Sequence, residues 1–226
     1  MLFCGVSCSR AWLVAVLASV FTVAPRNDAQ AQVSVRIEPR DWRLVESESG
    51  PVNYYRVVKE GERTLLRSSY VPPTKTAVMG WQLPDGERGR IRKVTWTWRA
   101  RTLPKGADEC TKGKGDSAAV VYLTFKRGLR YYALKYVWSA SGERGRTCAK
   151  KRSPFLAQDT IIVESGPSGG AFRSVELDLA REYRRHFEDG DVHADVPPFV
   201  GLGLMTDGDQ TGSESSADFG TFTLAR

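Results

Sequence analysis

Apolar and polar residues alternate through most of this chain, and the period is two. Val33, Val35 and Ile37 alternate with Ser34 and Arg36, the pattern of a half-buried strand. Residues 54–58 and 63–70 flank Lys59-Glu60-Gly61-Glu62, a short glycine-containing connection that predicts a hairpin. Pro72-Pro73 should stop pairing, and Pro84-Asp85-Gly86 should turn the chain after a short strand over 77–83. In 92–101, Val94, Trp96, Trp98 and Ala100 share one face, and Lys93, Thr95, Thr97 and Arg99 the other. Residues 118–125 are apolar on both faces, which suits a central strand. After a turn at 126–130, Tyr132, Leu134, Tyr136 and Trp138 line one side of the next strand.

The second half continues the pattern. Residues 142–153 form a long basic loop holding Cys148, with strands expected at 160–163 and 172–179. Residues 180–188 are the one segment with helical spacing: Tyr183 and Phe187 at i, i+4 share a face, and Arg181, Arg184 and Arg185 should face water. The chain ends with an apolar run, an acidic turn-rich loop and a second apolar run, over 197–226. About ten short strands and one helix predict an all-β fold, a two-sheet antiparallel sandwich of jelly-roll type.

The first 31 residues read differently. Arg10 precedes an apolar run from Ala11 to Ala24, and Ala29-Gln30-Ala31 offers a small-x-small cleavage pattern. This is the layout of a secretory signal peptide, too short for a membrane-spanning helix. Residues 32–226 are then one domain, with no transmembrane segment after cleavage. The full chain carries +7, and removing Arg10, Arg26 and Asp28 leaves +6. A basic exported protein, periplasmic or extracellular, favours polyanionic neighbours such as acidic polysaccharide or another anionic envelope component. Export argues against nucleic acid as a partner. Cys4 and Cys8 would leave with the signal. Cys110 and Cys148 then remain as an even pair, and in an oxidising compartment they predict a disulfide.

Candidate chemistry is sparse. Asp207, Asp209, Thr211 and Asp218 hold positions 1, 3, 5 and 12 of a twelve-residue loop with Gly212 at position 6. That spacing resembles an EF-hand loop and points to Ca2+. Position 12 is Asp instead of Glu, however, and strands enter and leave instead of helices. The rival reading is an acidic loop whose Asp and Gly satisfy turns. Arg99, Lys135, Glu176 and Asp178 lie on polar strand faces, and together they could form a charged groove for a sugar. The competing reading is a solvated face with surface ion pairs. Glu176 and Asp178, at i, i+2, also meet the spacing that glycoside hydrolysis requires. No Gly-x-Ser-x-Gly or His-Glu-x-x-His motif is present, and nothing singles out His186 or His193.

Several segments occur in a specific order: Trp96-Thr-Trp98-Arg99-Ala100, Gly106-Ala-Asp108-Glu109, Asp116-Ser-Ala-Ala119, Leu134 to Ser139, Glu182-Tyr183-Arg184 and Met205-Thr-Asp207-Gly-Asp209. In this arrangement the chain resembles the DUF3047 family, bacterial exported proteins of unknown function. The resemblance implies that Trp98, Arg99, Asp116, Trp138, Asp207 and Asp209 lie in shared segments, and it implies no catalytic role. The strand order also resembles galactose-binding-like jelly rolls, which often bind sugars and carry a structural calcium. The expectation is a non-catalytic glycan- or envelope-binding sandwich. Its alternatives are a carboxylate-dependent glycan hydrolase and a structural envelope protein on an anionic surface.

Overall fold

The computed structural model describes Met1, residues 34–45 and residues 53–226. Apart from Met1, the expected signal segment lies outside the described residues. The described residues contain thirteen strands and one α-helix. In chain order they are β1 (Ser34–Ile37), β2 (Arg43–Leu44), β3 (Tyr55–Glu60), β4 (Arg63–Tyr70), β5 (Val78–Gln82), β6 (Lys93–Thr102) and β7 (Ser117–Arg127). There follow β8 (Arg130–Ser139), β9 (Thr147–Arg152), β10 (Leu156–Ser165), β11 (Arg173–Asp178), α1 (Leu179–Phe187), β12 (Phe199–Met205) and β13 (Ser215–Ala225). One sheet runs β11-β6-β13-β4-β3, with β1 also pairing to β13; the other runs β2-β5-β12-β7-β8-β10-β9. Every pairing is antiparallel except that of β8 with β10. The fold is therefore the all-β, jelly-roll-type sandwich that the alternation predicts.

The period-two faces build the core. Val94, Trp96 and Trp98 of β6 are completely buried, as are Leu134 of β8 and Phe219, Phe222 and Leu224 of β13. Trp96 stacks on Phe222 with centroids 5.8 Å apart, within one sheet, and Trp98 meets Trp138 of the opposite sheet edge-on at 5.9 Å. Truncating either tryptophan to alanine should cost about 3–5 kcal/mol. β7 is central in its sheet, as its two apolar faces require.

Helix α1 starts where Asp178 accepts a hydrogen bond from the Arg181 amide at 2.8 Å, an N-cap. Tyr183 is fully buried against Phe125, Tyr132 and Phe187. The helix buries more polar residues than its spacing suggests, because each finds a partner. The Tyr136 hydroxyl donates to Glu182 at 2.9 Å, and His186 Nδ1 lies 3.0 Å from Asp159. Arg184 is half-buried and donates to the Ala194 carbonyl.

One expectation changes and one is sharpened. The basic segment 142–153 is not all loop: residues 147–152 form edge strand β9, paired to β10. Its run of Lys150, Lys151 and Arg152 hides the alternation, and such charges protect an exposed edge from further pairing. The closing run is strand, loop and strand as expected, and its strands β12 and β13 belong to different sheets, so the acidic loop between them crosses the sandwich.

Candidate functional site

The seven-stranded sheet has one face in the core. Its other face carries Gly80 and Gln82 of β5, Val120, Tyr122, Thr124 and Lys126 of β7, Tyr131, Lys135 and Val137 of β8, and Gly201 and Met205 of β12. This face is divided into a covered half and an open half.

On the covered half, Val120, Val137, Ile162 and Met205 are buried and pack with Val78, Tyr122, Cys110 and Cys148. Cys110 and Cys148 form the expected disulfide, 38 residues apart in sequence. It fastens the loop between β6 and β7 to edge strand β9. Under that loop Lys135 Nζ lies 2.8 Å from Glu109 Oε1, with both residues 7% exposed. The Ser117 hydroxyl donates to the same oxygen at 2.7 Å. Burial works against the Lys135 ammonium, but the neighbouring negative charges, Glu109 first, outweigh it and push its pKa up.

Beside this pair, at the ends of β7 and β12, lie three acidic residues. Single carboxylate oxygens of Asp116, Asp207 and Asp209 all fall within 4.8 Å of one another, the first two residues buried and the third exposed. Asp116 accepts from the Gln210 amide at 3.3 Å and from Thr211 N and Oγ1 at 2.8 and 2.6 Å. Asp207 accepts from the Ser117 amide at 2.7 Å. Burial pushes Asp207 up to about 7; the Lys135 charge and the Ser117 hydrogen bond oppose that rise. Among the described residues these three could hold a cation, and hard oxygen donors suit calcium or magnesium.

The EF-like set expected from spacing is not assembled as such. Asp207 and Asp209 stay together, and Thr211 joins them through Asp116. Asp218 is elsewhere: the strand resumes at Ser215, which places Asp218 on β13, on the solvent face of the six-stranded sheet. There it is fully buried among arginines. Arg67 reaches it at 2.6 and 3.0 Å, Arg99 at 2.9 and 2.7 Å, and Arg101 at 3.3 Å. Glu60 accepts further contacts from Arg99 and Arg67 at 2.5 and 3.1 Å. Burial works to raise the Asp218 pKa, but the hydrogen bonds from Arg67 and Arg99 and their charges hold it below its ordinary value.

Nor do Arg99, Lys135, Glu176 and Asp178 meet in one concavity. Arg99 and Lys135 sit on different sheets, each already ion-paired. Glu176 is exposed and pairs with Lys93 at 3.1 Å, and Asp178 caps α1. All four lie on polar strand faces, but those faces belong to different strands and sheets.

The open half of the seven-stranded sheet holds a groove of about 650 Å³ that crosses β2, β5, β12, β7 and β8. Gly80 and Gly201 lie in its floor, Arg43, Arg88 and Lys126 along it, and Tyr131 at one end. A Cβ on Gly201 would lie 2.5 Å from the Trp81 carbonyl oxygen, so no other residue fits there without moving β5. Tyr131 is 41% exposed, and Gln82 and Thr124 add uncharged hydrogen-bonding groups. The sequence reading missed these residues, since the groove is assembled from five strands drawn from across the chain. The available signal was the glycines inside apolar strand runs, which mark close approach of backbones.

A family model described as "Protein of unknown function (DUF3047)" matches residues 40–223. The chain belongs to the DUF3047 family. No curated protein matches the sequence of this DUF3047 chain. Solved structures match it at low identity and with TM-scores below 0.5. The xyloglucanase domain of NopAA from Sinorhizobium fredii is 10% identical, with 85% of this chain and 97% of that one covered at TM-score 0.43. A family 11 carbohydrate-binding module from Clostridium thermocellum is 10% identical, with coverage of 88% and 91% and TM-score 0.36. Endoglucanase cel12A from Rhodothermus marinus is 14% identical, with coverage of 85% and 100% and TM-score 0.39. The likeness is one of fold alone.

Proposed function

We propose that this DUF3047 protein is an exported, non-catalytic module that binds a glycan chain along the open half of its seven-stranded sheet. The observation that carries this reading is the glycine-floored groove of about 650 Å³. Its volume falls within the range of ligand sites, roughly 300–1,000 Å³. An extended groove across five strands suits a chain ligand better than a compact one. An exposed tyrosine ring gives a sugar an apolar face to rest on, and Gln82, Thr124 and the charged side chains offer hydrogen bonds to hydroxyls.

Binding without turnover is supported by the groove's composition. Hydrolysis by the usual two-carboxylate route needs a pair of carboxyl groups about 5–10 Å apart. Among the described lining residues Asp41 is the one carboxylate, and Glu176 and Asp178 are occupied elsewhere. Export is supported by the disulfide, which suits an oxidising compartment. Among the described residues no helix is long and apolar enough to cross a membrane.

Affinity electrophoresis in gels cast with a panel of neutral and acidic polysaccharides tests the reading. Retardation by at least one polysaccharide is expected, with loss in Tyr131→Ala while the melting temperature holds. Unretarded migration in every gel would end it.

A further inference from the structure

The charges in the groove are unbalanced. Arg43, Arg88 and Lys126 line it against a single acid, Asp41, among the described residues. Asp41 is turned to the backbone, accepting from the Glu38 amide at 2.8 Å.

None of the three cations is neutralised by a carboxylate of the groove. The Arg43 guanidinium donates through Nη1 to the carbonyls of Arg40 and Trp42 at 2.7 and 3.1 Å. It has no carboxylate partner among the described residues. Lys126 holds its ammonium 4.9 Å from the centroid of the Tyr131 ring. Arg88 pairs through Nη2 with Asp85 at 2.8 Å, and Asp85 does not line the groove. The Arg88 Nε is buried and has no hydrogen-bond partner among the described residues. A buried donor without a partner costs about 1–3 kcal/mol. On the other sheet, by contrast, Asp218 alone accepts from three arginines.

We infer that the glycan is acidic, a uronate-bearing polysaccharide whose carboxylates meet Arg43, Arg88 and Lys126. The inference rests on the groove reading above and names its substrate class. Guanidinium groups bind planar carboxylates through paired hydrogen bonds, and more strongly than they bind neutral hydroxyls. A uronate seated beside Tyr131 has its ring on an apolar surface and an ammonium within reach. The positions of the cations, on β2, after β5 and on β7, spread this charge along the groove, as a repeating acidic chain requires.

Calorimetric titration with hexagalacturonate and with cellohexaose, a neutral chain of equal length, tests it. Hexagalacturonate is expected to bind at least about tenfold more tightly, a difference of about 1.4 kcal/mol. Its affinity should fall as salt rises from 50 to 500 mM, on the order of the screening-length change. Arg43→Gln and Lys126→Gln should each weaken it about tenfold, while Lys112→Gln, on the exposed loop after β6, should leave it unchanged. Equal binding of both chains, lost together in Tyr131→Ala, would overturn the acidic preference and leave the groove as a glycan site. Equal weakening by Lys112→Gln and Lys126→Gln would reduce the effect to overall basicity and overturn the assignment. Retention on vesicles of anionic phospholipid without any heat from hexagalacturonate would also overturn it, in favour of a lipid surface. Heat from neither chain, with no retention in any gel, would remove the groove reading as well.

Discussion

Lys135 and Glu109 form a buried ion pair beneath the disulfide loop, 2.8 Å apart, on the same sheet face whose other half lies open. The pair holds the loop down by charge, and the Cys110–Cys148 bond holds it covalently. One face of the sheet thus has two fates, decided by whether the loop between β6 and β7 reaches it.

Removing one partner of the pair should be costly, because the other is left charged and buried. Glu109→Gln or Lys135→Met is each expected to lose about 3–5 kcal/mol in denaturant unfolding. The double variant Glu109→Gln with Lys135→Met should lose clearly less than the two single losses added. Strictly additive losses in that cycle would show that the two side chains do not interact.

The cross-strand cluster at Asp218 makes a prediction about acid. Its folded pKa lies below the ordinary value, so its contribution is present above the unfolded pKa of ~3.9 and is lost as pH falls through the folded one. Asp218→Asn should cost about 3 kcal/mol at neutral pH, at the low end for a broken buried pair because solvent reaches Arg101. The gap between wild type and variant should close as the pH drops below 4, roughly the unfolded carboxylate range. A constant gap down to the acid transition would contradict the assignment.

Asp207 works in the opposite direction and in another window. Burial raises its pKa to about 7. The folded state therefore holds a proton that the unfolded chain releases, and stability falls as pH rises from about 4 to about 7. The fall has an upper limit of roughly 4 kcal/mol. Asp207→Asn keeps an oxygen for the Ser117 amide and should flatten the profile, gaining on the wild type at pH 8. A cation on Asp116, Asp207 and Asp209 would hold Asp207 ionised. Millimolar calcium is thus expected to flatten the wild-type profile and to leave that of Asp207→Asn unchanged. A wild-type slope that calcium does not alter would leave the cluster as a turn.

The parts of this molecule that were readable from sequence are those governed by neighbours along the chain. Alternation placed Trp96 and Trp98 inward, i, i+4 spacing joined Tyr183 to Phe187, and an even cysteine count paired Cys110 with Cys148. What was not readable depends on residues far apart in sequence. Spacing counted Asp218 as the last residue of a loop, because nothing local shows that β13 begins at Ser215. Its partners Arg67 and Arg99 lie 151 and 119 residues away. The groove is the extreme case, since its floor is made by the absence of side chains on β5 and β12, strands that pair across more than a hundred positions.

The closing loop itself yields the last prediction. Asp207 and Gly208 follow β12, and the chain turns back so that the Ser213 amide donates to the Gly208 carbonyl at 3.0 Å. The Ser213 carbonyl passes so close that a Cβ on Gly208 would lie 2.0 Å from its oxygen, and 3.1 Å from the Tyr70 ring. Backbone, not a flexible side chain, is the obstacle. Gly208→Ala must therefore open the loop, which carries Thr211 and Asp209 away from Asp116. Its expected cost is roughly 2–4 kcal/mol, in the upper part of the range for single substitutions. Gly212, whose φ is 61° but whose Cβ would meet open space, should cost only about 1 kcal/mol on change to alanine, the strain of the left-handed conformation. Thermal unfolding of the two variants side by side measures the difference. Equal losses would mean that the tight crossing of Ser213 over Gly208 does not hold in solution.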